Sequence, residues 1–305
     1  MQHKTKIPVT VITGFLGAGK TTFINNLLQK YQGRKFALVE NEFGEVAIDT
    51  KLIKGVDASQ MFELKQGCIC CTITDEYELV LQELAERFLD VEHLLIETTG
   101  VADPAGVIQP FFHDEQLKEL YQYNGTICLL DTLHYKDQPE KELTMKQLAV
   151  ADLILVNKSE KLDKRSTADI KSELRAINPF AVVDFTSFGQ AEEIELDQLQ
   201  EKERSVFDFV SLASSHTHIQ TKTYKFDHLL SREEFMRNLE YTIDIYKREI
   251  YRVKGVLYFQ NEPFEYILQG VGGSFELIEG DPYLKPGESK IVFIGKLENV
   301  KFRSV

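Results

Sequence analysis

Along the first 190 residues, short apolar runs alternate with longer stretches of helical periodicity. The runs "VTVIT" (9–13), "KFALVE" (35–40), "VEHLLIE" (91–97), "TICLLD" (126–131), "DLILVN" (152–157) and "AVVDFTS" (181–187) are near-continuously apolar. Strands covered by helices on both faces read this way, whereas half-exposed strands alternate apolar and polar positions. Between them, "KTTFINNLLQKY" (20–31) and "EYELVLQELAERFL" (76–89) place apolar residues at helical spacing. The alternation predicts an α/β unit with a mostly parallel sheet.

From about residue 221 the rhythm changes. "TKTYKFD" reads as a strand, and Ser231-Arg-Glu-Glu234 has the form of a capping box, opening a helix that carries Phe235, Leu239 and Ile243. Further strands are expected at "IYRVKGVLYF", "FEYILQGV", "SFELI" and "KIVFIGK", giving a smaller α+β domain. The stretch "GQAEEIELDQLQEKERS" (189–205) is acidic and lacks strand character, so the boundary is placed at its end. Residues 1–205 would form the first domain and 206–305 the second.

Composition narrows the function. At 305 residues and 43% hydrophobic content the chain can bury a full core. A net charge of −13 argues against nucleic acid as a partner, which calls for a basic face. No apolar run approaches the roughly 20 residues of a membrane span. The basic and then apolar start of "MQHKTKIPVTVITGFLGAGK" mimics a secretory signal, but it runs straight into a phosphate-binding pattern that cleavage would discard. A cytoplasmic location is expected, where thiols stay reduced.

The phosphate-binding pattern is "GFLGAGKT" (14–21), a full match to G-x-x-x-x-G-K-[ST] between a strand and a helix. Gly14, Gly17 and Gly19 let backbone N–H groups turn toward phosphate oxygens, and the helix N-terminus adds partial positive charge. Lys20 would reach the β- and γ-phosphates and Thr21 would ligate Mg²⁺. The strand ending at Glu97 continues "TTG", which supplies an acid on the metal side and the Gly100 N–H for a γ-phosphate. Asn157-Lys158-Ser159-Glu160 has the form of the Asn-Lys-x-Asp guanine clamp with Glu in place of Asp. Glu160 is one methylene longer and pairs with guanine only if its loop backs away, so guanine stands ahead of adenine, with adenine left open.

Three of the four cysteines crowd into "KQGCICC", as Cys68, Cys70 and Cys71. Three close thiolates suit Zn²⁺ or Cu(I) and leave an open fourth position, as an exchangeable site requires. A redox pair and fortuitous core cysteines are the competing readings. Cys128, mid-run in "TICLLD", reads as a small buried hydrophobe.

The P-loop, Cys-x-Cys-Cys, Glu-Thr-Thr-Gly and Asn-Lys-x-acid, in that order, resemble the CobW-like branch of the metal-homeostasis GTPases, relatives of UreG and HypB. The likeness extends through "ENEFGEVAID" (40–49) and "ETTGVADP" (97–104) to "YRVKGVLYF" and "IVFIGK", nearly the whole chain. It implies a P-loop G domain that hydrolyses GTP slowly with Mg²⁺ and uses nucleotide state to deliver a metal, often Zn²⁺, to a client metalloprotein. A metal-dependent oligomer is compatible with it. The resemblance assigns residues 14–22, including Ala18 and Thr22, to phosphate and Mg²⁺, and Asn157, Lys158 and Glu160 to the base. It makes Cys68, Cys70 and Cys71 metal ligands, with Glu40, Glu42 or Asp49 as acids around the metal and switch sites. Glu42 and Glu97 are candidates for orienting water. Where relatives carry a histidine-rich tract between domains, this chain has only "HTH" (216–218), so His216 and His218 are expected to be solvated. Two other readings stand beside the chaperone: a nucleotide-gated metal sensor or buffer, and an ATP-using P-loop transferase.

Overall fold

The apolar runs of the first 190 residues become neighbours in one sheet. The computed structural model describes residues 5–41, 61–62, 74–132, 140–199, 215–216 and 219–302. In the first sheet lie β1 (Ile7–Thr13), β2 (Phe36–Asn41), β3 (Met61–Phe62), β4 (His93–Thr98), β5 (Tyr121–Asp131), β6 (Leu153–Asn157) and β7 (Val182–Phe185). Their order is β3-β2-β4-β1-β5-β6-β7, with every pairing parallel. The covering helices are α1 (Lys20–Lys30), α2 (Thr74–Arg87), α3 (Ala105–Ile108), α4 (Pro110–His113), α5 (Glu115–Leu120), α6 (Lys141–Val150) and α7 (Lys164–Ile177). β1 is central, and its two faces feed separate cores. Val9 and Val11 pack with Leu81, Leu94 and Phe112, while Ile12 packs with Phe23, Leu27 and Leu129.

β5 begins five residues before the run that predicts it. Asn124-Gly125, a pair with a local preference for turns, does not interrupt the strand, and the β1–β5 register shifts between Val9 and Thr10. Gly125 has φ 132°, and a Cβ there would sit 3.0 Å from the Asp152 carboxylate. The acidic stretch also has more structure than its composition suggests. Ala191, Ile194, Leu196 and Leu199 are buried against α1, and the acids between them turn outward. Glu195 pairs with Lys30 and Asp197 with Arg34, both at 2.9 Å. The domain boundary proposed at 205/206 lies outside the described residues.

The second sheet is antiparallel, in the order β12-β11-β10-β13-β9-β8. Its strands are β8 (Ser215–His216), β9 (Ile219–Phe226), β10 (Ile250–Tyr258), β11 (Phe264–Val271), β12 (Ser274–Pro282) and β13 (Ser289–Gly295). Helix α8 (Arg232–Ile245) covers one face through Phe235, Leu239 and Ile243, as its periodicity predicts. The capping box does not form. Ser231 occupies the N-cap position, but its hydroxyl makes no capping hydrogen bond and only its carbonyl accepts, from Phe235 N at 2.9 Å.

The other face of this sheet packs on the first unit. Ile219, Tyr251, Val292 and Ile294 meet Ala149 of α6 and Phe180 in one apolar cluster. Beside it lies a buried ionic group. Asp152 accepts from Arg252, from Lys254 at 3.0 Å, from the Thr126 N–H at 2.6 Å and from the Tyr123 hydroxyl at 3.2 Å. Asp152 and Arg252 are each only 2% exposed. Among the described residues, no helix is long and apolar enough to cross a membrane.

Candidate functional site

The carboxyl ends of β1, β4, β5 and β6 converge where β1 gives way to α1, the place at which open α/β sheets bind ligands. Between Thr13 and Lys20 the chain turns through Gly14, Gly17 and Gly19, with φ of 135°, 76° and 100°. Gly14 admits no side chain, because a Cβ would lie 2.2 Å from the Leu129 carbonyl of β5. Ala18 is buried and donates its N–H to the Phe15 carbonyl at 3.2 Å, while Thr22 is exposed on the first turn of α1.

Lys20 folds back across this loop, its Nζ donating to the Gly14 carbonyl at 2.9 Å. Lys20 is 8% exposed, and burial lowers its pKa while the Glu97 carboxylate pulls the other way. A buried cation held by loop carbonyls is poised to exchange them for phosphate oxygens. Thr21 Oγ1 donates to Glu97 Oε1 at 3.4 Å. Glu97 lies near the end of β4, whose Thr98 hydroxyl donates to that of Thr13 on β1 at 2.9 Å. Thr21 and Glu97 form an oxygen donor set of the kind a hard cation such as Mg²⁺ takes. Gly100 presses on the phosphate loop, since a Cβ there would meet Leu16 N at 2.4 Å. Its carbonyl accepts from Gln147 of α6 at 3.3 Å.

Asn157, at the end of β6, ties three loops together. Its Nδ2 donates to the Ala18 carbonyl at 2.9 Å, and its Oδ1 accepts the Gly189 N–H at 3.1 Å. At 3% exposed, Asn157 acts here as a brace. Lys158 adopts φ 60° and extends its ammonium to Asp131 Oδ2, 2.6 Å away at the end of β5. Ser159 Oγ donates to the Thr186 carbonyl at 2.8 Å, and Glu160 stands exposed in a single 3-10 turn. The structure thus brings together the phosphate loop, Glu97, Gly100 and the Asn157-Lys158-Glu160 loop.

Other expected site residues fall elsewhere. Cys68, Cys70, Cys71, Glu42, Asp49 and His218 lie outside the described residues. Glu40 sits on β2, in register with Glu97 of β4. His216 pairs with Ile219 in a two-residue edge strand. Cys128 is 1% exposed, and burial pushes its thiol up to about 12, as a small core residue. Among the described residues, no cluster of histidine, cysteine and acid side chains could hold a metal. Sequence reasoning missed Asp131, although it closes a buried strand beside the base loop. It also missed the loop at residues 186–189, whose one written signal is a glycine after a strand.

Comparison with known proteins identifies the family. The family model described as CobW/HypB/UreG, nucleotide-binding domain, matches residues 8–184. The model described as cobalamin synthesis protein cobW C-terminal domain matches residues 219–303. The chain is 33% identical to the zinc chaperone YjiA of Escherichia coli over 95% of this chain and 94% of that protein. It is 30% identical to the zinc chaperone CobW of Pseudomonas aeruginosa over 90% of this chain and 83% of that one. The crystal structure of Zn(II)-bound YjiA GTPase from E. coli superposes with a TM-score of 0.68 at 27% identity, covering 95% of this chain and 94% of that chain.

Proposed function

The chain belongs to the CobW/HypB/UreG family, and from that premise we propose that it is a GTP-hydrolysing zinc chaperone that hands its metal to a client protein in the cytoplasm. The observation that carries the reading is the convergence of Lys20, Thr21, Glu97 and the Asn157 loop at one end of the first sheet. A guanine nucleotide laid across it would set its phosphates on the glycine loop and its base beside Glu160. Lys20 would release the Gly14 carbonyl to neutralise phosphate charge as the γ-phosphoryl group leaves, and the Gly100 N–H would donate to the same group. Thr21 and Glu97 would hold Mg²⁺, which when bound supplies further charge stabilisation. Asn157 would keep the phosphate and base loops in register.

Zinc is the cargo. Cys68, Cys70 and Cys71 would take it up, with Glu40, Glu42 and Asp49 as further candidate acids. The support is position: three thiols fall between β2 and β4, two neighbouring strands in the same sheet, and β4 carries Glu97. A zinc titration with Mg-GTP, Mg-GDP or no nucleotide tests the proposal. Affinity should be at least about tenfold higher with GTP, corresponding to ~1.4 kcal/mol of coupling, and zinc should tighten GTP binding by the same factor. Serine at all three cysteines should abolish the mutual effect and spare metal-free GTP binding. Equal zinc affinity in the GTP and GDP states would overturn the chaperone switch.

A further inference from the structure

The loop at residues 186–189 combines a strained backbone position with an exposed aromatic ring. Among the described residues, three non-glycine positions have positive φ: Lys158 at 60°, Phe188 at 54° and Asn261 at 62°. Two of them, Lys158 and Phe188, flank the base side of the candidate site. For a bulky aromatic residue this conformation is an outlier, costing on the order of 1–2 kcal/mol. Such strain persists only where the surroundings impose it, and it clusters at ligand sites. The Phe188 ring gains little from the core in return, because it is 73% exposed.

The backbone around Phe188 is fixed from two sides. Asn26 of α1 donates through Nδ2 to the Phe188 carbonyl at 3.0 Å and to the Gly189 carbonyl at 2.8 Å. Gly189 donates its N–H to Asn157, the first residue of the Asn157-Lys158-Glu160 loop. Gly189 also lies so close to α1 that a Cβ would meet Phe23 N at 2.9 Å. Thr186 closes the loop by donating to the Gln190 carbonyl at 3.0 Å. The exposed ring is therefore one residue from the side chain that braces phosphate loop to base loop, on a rigid turn.

We propose that Phe188 is a base-stacking residue, its ring covering one face of the bound purine while Glu160 meets the edge. This rests on the nucleotide reading of the site given above. An aromatic face suits the task because every purine offers a π-surface to it, whatever its edge pattern. Stacking adds affinity, and base choice stays with Glu160.

The sequence has no tryptophan, so Phe188→Trp places a single reporter at this position. Binding of Mg-GDP and of inorganic tripolyphosphate is measured by calorimetry for wild type, Phe188→Ala and Phe188→Trp, with tryptophan emission recorded for the last. Phe188→Ala should lose roughly tenfold in GDP affinity and keep its tripolyphosphate affinity. Phe188→Trp should bind GDP as wild type does, its emission quenched by GDP and unmoved by tripolyphosphate. If wild type binds GDP and Phe188→Ala binds it equally well, stacking is wrong and the nucleotide site stands; a ring used for a protein partner would give this result. Identical Phe188→Trp emission with GDP and tripolyphosphate overturns stacking too. Failure of wild type to bind GDP removes the nucleotide reading and the stacking with it.

Discussion

Replacing Asp152 with alanine should be among the most damaging single changes available outside the candidate site. Its carboxylate faces two cations from the second sheet, with the Arg252 and Lys254 side chains 2% and 3% exposed. It also accepts the Thr126 N–H and the Tyr123 hydroxyl. Removing the anion takes the opposite charge away from two buried cations and leaves a buried backbone donor without this partner. Losing one partner of a buried ion pair costs about 3–5 kcal/mol, and an unsatisfied donor about 1–3 more, so about 4 kcal/mol overall is a conservative figure. With a urea m-value near 3 kcal/mol/M, the unfolding midpoint should fall by about 1.3 M. The assay is urea unfolding followed by far-UV circular dichroism. A second variant separates charge from packing: Asp152→Leu with Arg252→Met and Lys254→Met should recover most of the loss, because apolar residues of similar size tolerate such sites. A midpoint shift below about 0.3 M for Asp152→Ala would refute the argument, since it would mean that water reaches the cluster.

Other expectations follow from the same geometry. Lys20→Ala should abolish GTP turnover with an unchanged circular dichroism spectrum, because the ammonium touches loop carbonyls and not the apolar core; turnover and nucleotide affinity both at wild-type level would remove Lys20 from the phosphate site. Unlabelled GTP should displace labelled GTP far better than excess ATP does, despite the longer Glu160, and equal competition would reject guanine selectivity. Stability should fall with acid through His93, whose burial beside Arg34 lowers its pKa to about 3. The unfolded chain takes up this proton near pH 6.5 while the folded chain resists until about pH 3, so stability present above pH 6.5 drains away between those values. At pH 5 that amounts to about 2 kcal/mol, and His93→Gln should flatten this part of the curve of urea midpoint against pH. Equal slopes for variant and wild type between pH 7.5 and pH 5 would count against it.

Much of this was legible in the residues, for physical reasons that also mark the limit. The runs at β1, β4 and β6 announce themselves because strands buried on both faces leave no polar alternation to misread. The glycine loop is legible because phosphate binding by backbone N–H groups constrains spacing tightly. The start of β5 was hidden by Asn124-Gly125, whose local preference for a turn yields to the bulge against β1. Helices α3, α4 and α5 are 4–6 residues long, too short for periodicity to appear. The burial of Ala191, Ile194, Leu196 and Leu199 was masked by the acids set between them. Within the site, Lys20, Thr21, Glu97 and Asn157 were readable as motif members. The Asp131–Lys158 pair was not, because the partners lie 27 residues apart and only the pairing of β5 with β6 brings them together.

The seam between the two sheets bears on how the chain comes off the ribosome. Phe180 and Ala149 await an apolar cover, and Asp152 awaits two cations, all from residues made at least 35 positions later. Until β9, β10 and β13 are synthesised, a nascent first unit presents a greasy patch around a half-paired carboxylate. At roughly 5–20 residues per second, that exposure lasts several seconds, long enough for encounter with a general folding chaperone. Cutting the protein after residue 199 would make the condition permanent, so the nucleotide-binding half is a poor candidate for independent life.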